Sequence, residues 1–400
     1  MNIKYYHKNN GIDLCKNMNT KESFNYVSNF FSKWVNVENF NVLIGSGCSR
    51  NAIPLMNETF LELIQNNKSI YNNDTYKPFS EYKKKQLREK GFSAEIVSQE
   101  LNKTINIEEY LNWLNQAIQF YEFVDQEKLN KFKQAFECTI NGLVNSMESD
   151  IEKYFTNGEY RRTLENYINY YNLIFRHRNK NQKIGSMNIF TSNYDLFNEV
   201  ALEQINVHYT TGFKGGVNRT FTPSMFRLRL VDDENRYKEK WDPVRRFVKL
   251  YKLHGSLNWI EKNGEIIQIE RIDDDDERRM IYPYVSKHNL TRQTPYSELF
   301  REFSISMQKS NSVLFVMGYG FPDEHINQII KQGLDNPDLT IIIFGNDDEG
   351  VLKHFLEDKE TVPNLHIIGG KDVDDKLKTV GHHFHNIVNL LGGGNNELKL

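Results

Sequence analysis

The chain has 400 residues, 39% hydrophobic and 26% charged, with a formal net charge of -3. That length and apolar content suffice for a sizeable core and two structural units, and the near-neutral balance leaves no global basic field, which argues against nucleic acid as a direct ligand. Cys15, Cys48 and Cys138 stand far apart with no CxxC pair, so neither a disulfide framework nor a four-cysteine zinc site can be built within one chain, and no metal is expected.

The first twenty residues, MNIKYYHKNNGIDLCKNMNT, contain no apolar core of signal-peptide length. No window reaches the run of about 18 apolar residues that a membrane helix requires. A cytoplasmic protein is expected.

In chain order, residues 21–37 place Phe24, Val27, Phe30, Phe31 and Trp34 at helical spacing, which predicts a helix and an N-terminal helical segment over residues 1–40. The apolar run VLI at residues 42–44 then predicts a strand that stops at GSGCSR. From residue 58 to residue 175 the period is mostly helical, in stretches such as ETFLELIQ, NIEEYLNWLNQAIQFYEF and YRRTLENYINYYNLIF. These read as a helical insertion over residues 61–183, with Ile107, Tyr110, Leu111, Leu114 and Ile118 as core positions.

From Met187 onward short apolar runs return, each followed by a polar cluster. MNIF precedes TSNYD, VKLYKL precedes HGS, SVLFVMG precedes YGFPDEH, TIIIFG precedes NDDEG, and LHIIGG precedes KDVDD. Such runs suit a parallel sheet buried on both faces, and ligands of open parallel sheets sit beyond the carboxyl ends of the strands. The fold class is therefore α/β, a Rossmann-like parallel sheet flanked by helices with a helical inserted subdomain. The sheet domain takes residues 41–60 and 184–390, and residues 391–400 form a flexible tail.

Each polar cluster admits two readings when taken alone. GSGCSR supplies Gly45 and Gly47 at two places of a dinucleotide fingerprint, with Arg50 in the place of the last glycine; it is either a phosphate loop or a tight strand-to-helix turn. In TSNYD, Asn193 and Asp195 either contact a sugar and a water or cap the next helix. His254 in LHGSLNW is the most site-like of the eleven histidines, a base near neutral pH or a hydrogen-bonded structural group. Gly318 and Gly320 in GYGFPDEHIN permit close backbone approach, and Asp323 suits a helix cap. Asn346 and Asp347 stand where a side chain after a sheet strand binds an adenosine ribose, or caps a helix.

Together, and in this order, the segments resemble the sirtuin-like NAD-consuming family, in particular its bacterial antiphage-defence branch. GSGCS is similar to the family's Gly-Ala-Gly-x-Ser loop, with Ser46 in place of alanine, and Ile53-Pro54 resembles its Ile-Pro. TSNYD resembles the segment that contacts the nicotinamide ribose, LHG matches the Leu-His-Gly of the catalytic histidine, and GYGFPDEHIN is similar to the bacterial Gly-Tyr-Ser-Phe-x-Asp-x-His-Ile. The resemblance implies Asn193, His254 and Asp195 as catalytic residues. It implies Gly45, Ser46, Gly47, Ser49, Gly318, Tyr319, Gly320, Asn346 and Asp347 as contacts to NAD, the substrate.

Two departures bear on the activity. Deacetylases of the family carry a four-cysteine zinc module between these segments, whereas residues 255–318 contain no cysteine, and Leu55, Met56 and Asn57 replace the Asp-Phe-Arg after Ile-Pro. The resemblance therefore implies an NAD+ glycohydrolase rather than a deacylase. It further implies a homo-oligomer and a separate protein trigger such as a HerA-type ATPase. Alternatives are a regulatory subunit that binds NAD or ADP-ribose without turnover, and a protein deacylase or ADP-ribosyltransferase. The acidic run IDDDDERR is a candidate closing loop.

Overall fold

A computed structural model describes the chain apart from residues 1, 90, 106, 148–149, 179–185, 238–239, 271–278, 282–293, 349, 358, 360, 376–377 and 393–400. Residues 272–278 of the acidic run and 393–400 of the tail expected over 391–400 lie outside the described residues, while Leu391 is the buried last residue of helix Phe384–Leu391. The chain divides into two compact units, the first comprising Met1–Asn51, Asp150–Met280 and Thr294–Leu400, the second Ala52–Ser149 and Ile281–Gln293.

The first unit is built on a nine-stranded sheet. Its strands lie in the order Ile12–Asp13, Ile3–Asn9, Leu365–Asp372, Leu339–Phe344, Ser312–Met317, Asn39–Ile44, Met187–Thr191, Phe247–Lys252 and His208–Thr210. The last seven run parallel, and Ile3–Asn9 joins them antiparallel through Leu365–Asp372. This is a mixed α/β fold with a large, mostly parallel central sheet flanked by helices, as the apolar runs predict. Val42, Leu43 and Ile44, Leu314 to Val316 and Ile341 to Ile343 are all buried, and consecutive burial of this kind requires cover on both faces of the sheet.

Growth of the sheet reverses beside Asn39–Ile44. The next strand of the parallel set, Met187–Thr191, is added on one side, and Ser312–Met317 later on the other. In open α/β sheets such a reversal opens a crevice beyond the strand ends.

The N-terminal segment is not wholly helical. Ile3–Asn9 is a strand at the border of the sheet, flanked on its outer side only by the two-residue strand Ile12–Asp13, and in register from Ile3 opposite Asp372 to Asn9 opposite His366. Its apolar residues are mixed with Lys4, His7 and Lys8, which conceals it from a search for apolar runs. The expected helix follows at Thr20–Trp34, closed by a capping box between Asn19 and Glu22. It lays Phe31 on Phe315 and Phe344 of the sheet.

The second unit contains the helices Met56–Asn66, Lys77–Glu89, Val97–Thr104, Ile107–Tyr121 and Gln126–Asn145. Phe60, Phe79, Tyr110, Trp113 and Phe132 form its aromatic core. Tyr110 donates to the Thr75 carbonyl at 3.2 Å, and Tyr71 and Thr139 pair their hydroxyls at 3.0 Å. This unit ends at Ser149 rather than at the expected 183. Helix Gly158–Arg178 belongs to the sheet unit, where Tyr160 and Tyr167 pack on Phe197, and Tyr167 and Tyr170 on Phe384. Helical period identifies a buried face and is silent about which core receives it.

One buried polar pair ties the edge strand to the sheet. His7 Nε2 and His366 Nδ1 lie 2.9 Å apart, with both rings against Phe30. Burial lowers the His7 pKa to about 3, helped by His366, and lowers that of His366 to about 4. Both are neutral in the fold near neutral pH, whereas an unfolded histidine takes up a proton near pH 6.5. The unfolded chain thus binds more protons below that value. Unfolding free energy should fall by up to about 5 kcal/mol as pH drops from 6.5 toward 4. The fall should be smaller in His366→Gln, as followed by urea titration at each pH.

Candidate active site

The parallel strands end level with one another. Phe344 pairs with Met317, Met317 with Ile44, Ile44 with Thr191, and Thr191 with Lys252. Five neighbouring strands therefore finish on one line, about 19 Å long at the usual strand spacing. One or two residues beyond that line stand Asn346, Gly318 and Tyr319, Gly45 and Ser46, Asn193, and His254. Segments separated by up to three hundred residues are set side by side by register alone.

At the reversal the two glycine loops lie in backbone contact. Gly45 N–H donates to the Met317 carbonyl at 2.9 Å and Gly47 N–H to the Gly318 carbonyl at 2.8 Å. A Cβ on Gly45 would stand 2.4 Å from Gly318 O, and one on Gly318, whose φ is +61°, would stand 2.5 Å from Cys48 N. These glycines are needed for the mutual approach of two loops, a demand that a phosphate-loop reading does not contain. A 3-10 turn, Ser46–Cys48, follows in place of the expected longer helix. Ser46 and Gly47 are exposed on it, and Ser49 is buried. Gly320 has open space where its Cβ would be.

Asn193 is 5% exposed. Its backbone N–H donates to Thr191 Oγ1 at 3.0 Å, and its Nδ2 donates to Gly45 O and Ser49 Oγ, each at 3.3 Å. Its Oδ1 is buried and has no hydrogen-bond partner among the described residues. Such a carbonyl is open to a donor from a ligand or water, and Asn36 Oδ1 and Asn258 Oδ1 are in the same condition elsewhere in the chain. Ser49 Oγ is in turn 3.0 Å from Tyr167 OH, so the first glycine loop, TSNYD and helix Gly158–Arg178 share one polar chain.

Asp195 is 3% exposed, and one carboxylate oxygen accepts the Phe197 N–H at 3.2 Å. It therefore performs the local capping job. Burial raises its pKa, opposed by the Lys252 ammonium and by hydrogen bonds from Phe197, Ser49 and Asn193. Its charge also pushes up the hydroxyl pKa values of Tyr154 and Tyr167, although burial is the main cause there.

His254 sits at the mouth of the row with its side chain 12% exposed, and its Nε2 is 3.0 Å from Asp323 Oδ2. The other oxygen of Asp323 caps helix Glu324–Gly333, accepting the His325 N–H at 2.8 Å and the Ile326 N–H at 3.4 Å. Tyr319 braces that turn: its hydroxyl bonds the Asp323 carbonyl and Asn327 Oδ1, each at 3.2 Å. Asn327 Nδ2 donates to Phe321 O at 2.9 Å, holding Phe321 at a φ of 59°. Sequence reasoning left Asp323 as a cap, and the histidine it contacts lies 69 positions away. Only a fold that places helix Glu324–Gly333 beside the LHG segment shows the pair.

Asn346 and Asp347 follow the same line of strand ends, but their side chains have local uses. Asn346 Oδ1 accepts the Asp348 N–H at 3.3 Å, and Asp347 forms an ion pair with Lys8 of the edge strand. Among the described residues no group of three or more His, Cys, Asp or Glu side chains could hold a metal ion, and no helix is long and apolar enough to cross a membrane. Where the zinc module of the deacetylases would stand, the chain forms a hairpin of Gly255–Lys262 and Glu265–Gln268. Its turn uses Asn263 and Gly264, both at positive φ.

Residues 187–363 match the family model of the SIR2-like domain. The match spans the Asn193, His254, Gly318 and Asn346 segments, and it supports a sirtuin-like family and a Rossmann-like SIR2 fold. A SIR2-like domain is compatible with NAD-dependent or NAD-consuming chemistry. Among curated proteins, none matches the chain.

Two substitutions probe how this candidate site is held. Gly318→Ala forces a side chain into backbone at positive φ and should destabilise the protein by more than about 2 kcal/mol in a denaturant titration. Asp323→Ala removes a helix cap and should cost about 1 kcal/mol, which Asp323→Ser should largely restore because serine caps equally well.

Proposed function

We propose that the chain is an NAD+ glycohydrolase, cleaving the bond between nicotinamide and ribose to give nicotinamide and ADP-ribose. The observation that carries this reading is the pairing of Asn193 and His254. Register sets them two residues beyond Thr191 and Lys252, at the ends of adjacent strands. One offers a buried carbonyl without a donor, the other an imidazole held by a carboxylate. The SIR2-like segment and the paired glycine loops at the sheet reversal support NAD as the molecule that lies across them.

The chemistry required is modest. The C1′–N bond breaks with its electron pair passing to the ring nitrogen, so nicotinamide leaves neutral and positive charge develops on the ribose. Water supplies the new C1′–O bond. An ionised carboxylate only accepts hydrogen bonds, so the Asp323 contact assigns the proton to His254 Nε2 and the basic lone pair to Nδ1. That lone pair takes the proton of the attacking water, and Asp323 stabilises the imidazolium that results. Asn193 Oδ1 accepts from the water or a ribose hydroxyl. Asp195, enclosed by protein, acts through its charge, favouring the cationic sugar in a site of low dielectric.

The absence of cysteine over residues 255–318 favours hydrolysis over the zinc-supported deacylation of the family. A role as a regulated effector of bacterial antiphage defence, in the cytoplasm, as a homo-oligomer triggered by a HerA-type ATPase, is the biological setting that the resemblance suggests.

Purified protein incubated with NAD, with and without the candidate ATPase, should release free nicotinamide in a chromatographic assay. His254→Ala and Asn193→Ala should each lower the rate by about a hundredfold to a thousandfold. Asp323→Asn, which keeps the cap, should lower it by at least about tenfold. Wild-type turnover in His254→Ala would overturn the assignment, and acetyl-ADP-ribose formed with an acetylated peptide would replace hydrolysis by deacylation.

A further inference from the structure

Strand Phe247–Lys252 carries Val248 and Leu250 on one face, both fully buried, and the same alternation puts Lys252 next on that face, also fully buried. An isolated ammonium in that position is costly, because it loses its water. This one is satisfied three times over. Lys252 Nζ donates to the Tyr194 carbonyl at 3.2 Å, the Asp195 carbonyl at 2.6 Å and Glu199 Oε1 at 3.0 Å.

All three acceptors belong to the segment after strand Met187–Thr191, the loop that presents Asn193 and the helix Phe197–Gln204 behind it. Backbone bonds from the residues just after the lysine fasten the same loop. Leu253 N–H donates to Thr191 O at 2.8 Å, and Leu257 N–H to Tyr194 O at 3.1 Å. The three N–H bonds of one ammonium are therefore spent on two main-chain carbonyls and one carboxylate of a single neighbour, two residues before His254. A side chain that merely filled the core would need none of them.

We propose that Lys252 is a positioning residue of this site: it locks the Asn193 loop to the strand that delivers His254, and so sets the distance between the two catalytic groups. The inference rests on the glycohydrolase reading for its kinetic consequence, and on geometry alone for the lock.

The test uses the full chain with Lys252→Met, Lys252→Arg and the double variant Lys252→Met with Glu199→Gln. The double variant removes both members of the ion pair, so that no carboxylate of the pair is left bare if the single variant fails to fold. In hydrogen exchange, peptides covering residues 191–197 should exchange about tenfold faster in the double variant, while those of strand Ser312–Met317 remain at the wild-type rate. Nicotinamide release should show kcat lowered by about a hundredfold with KM within about threefold, since the loop is misplaced and the dinucleotide contacts are not. Lys252→Arg, which keeps the charge, should recover a substantial part of kcat.

Wild-type exchange over 191–197, or a wild-type kcat in the double variant, would overturn the proposal. So would an equal loss in Lys252→Arg and the double variant, which would mark a packing role only. If the wild-type protein neither binds nor cleaves NAD, the glycohydrolase reading falls, and the exchange measurement still decides whether Lys252 locks the loop.

Discussion

Contact between two backbones, with no side chains between them, is the constraint on which the site depends. Gly45 and Gly47 lie against Gly318 so closely that any Cβ would stand within 3 Å of main-chain atoms. The contact occurs where the sheet changes its direction of growth, and it lets the strands on either side of the reversal end flush. Once these loops are joined, the register of Ile44 with Thr191 and of Thr191 with Lys252 brings the remaining segments into line. The arrangement is therefore set by hydrogen-bonded strands rather than by the loops that carry the chemistry, and strands hold position better than loops do.

The polar groups of this region are buried to an extent that needs justification. Asn193, Asp195, Glu199, Lys252, Ser49 and Asp323 are all nearly inaccessible, and each would be unfavourable there without partners. They are paired almost throughout, by main-chain carbonyls, by helix N–H groups or by one another. The exceptions are informative: one oxygen of Glu199 and the carbonyl of Asn193 lack a hydrogen bond among the described residues. Groups held by hydrogen bonds in this way have their dipoles oriented in advance, which is how electrostatic stabilisation is obtained without reorganisation during reaction.

Much of this was legible in the amino-acid order, and the gaps have physical causes. The parallel core strands announced themselves because burial on both faces demands consecutive apolar residues, as in SVLFVM and TIIIF. The polar clusters after them were visible because strand ends are where such sheets place function. Strand Ile3–Asn9 was hidden because Lys4, His7 and Lys8 break its apolar run, although His7 is itself buried. The end of the helical unit was hidden because tyrosines at positions 160, 167, 170 and 171 define a helix face without naming its neighbour. Asp323 was visible as a cap, yet its second oxygen serves a histidine far away in sequence. Lys252 stood in plain sight inside VKLYKL as an apparent flaw in an apolar pattern, and no periodicity reveals which three oxygens it meets.

The edge strand carries a consequence for how the protein comes into being. Ile3–Asn9 leaves the ribosome long before its partner Leu365–Asp372, with which it pairs from Ile3 opposite Asp372 to Asn9 opposite His366. The sheet consequently cannot be closed during synthesis of the intervening chain, because loop closure over that separation must await the final strand. Until then the border of the sheet has unpaired main-chain groups, and the nascent polypeptide must be kept from its neighbours by other means. Synthesis of strand Leu365–Asp372 is in this sense built into the architecture as a condition for a closed sheet.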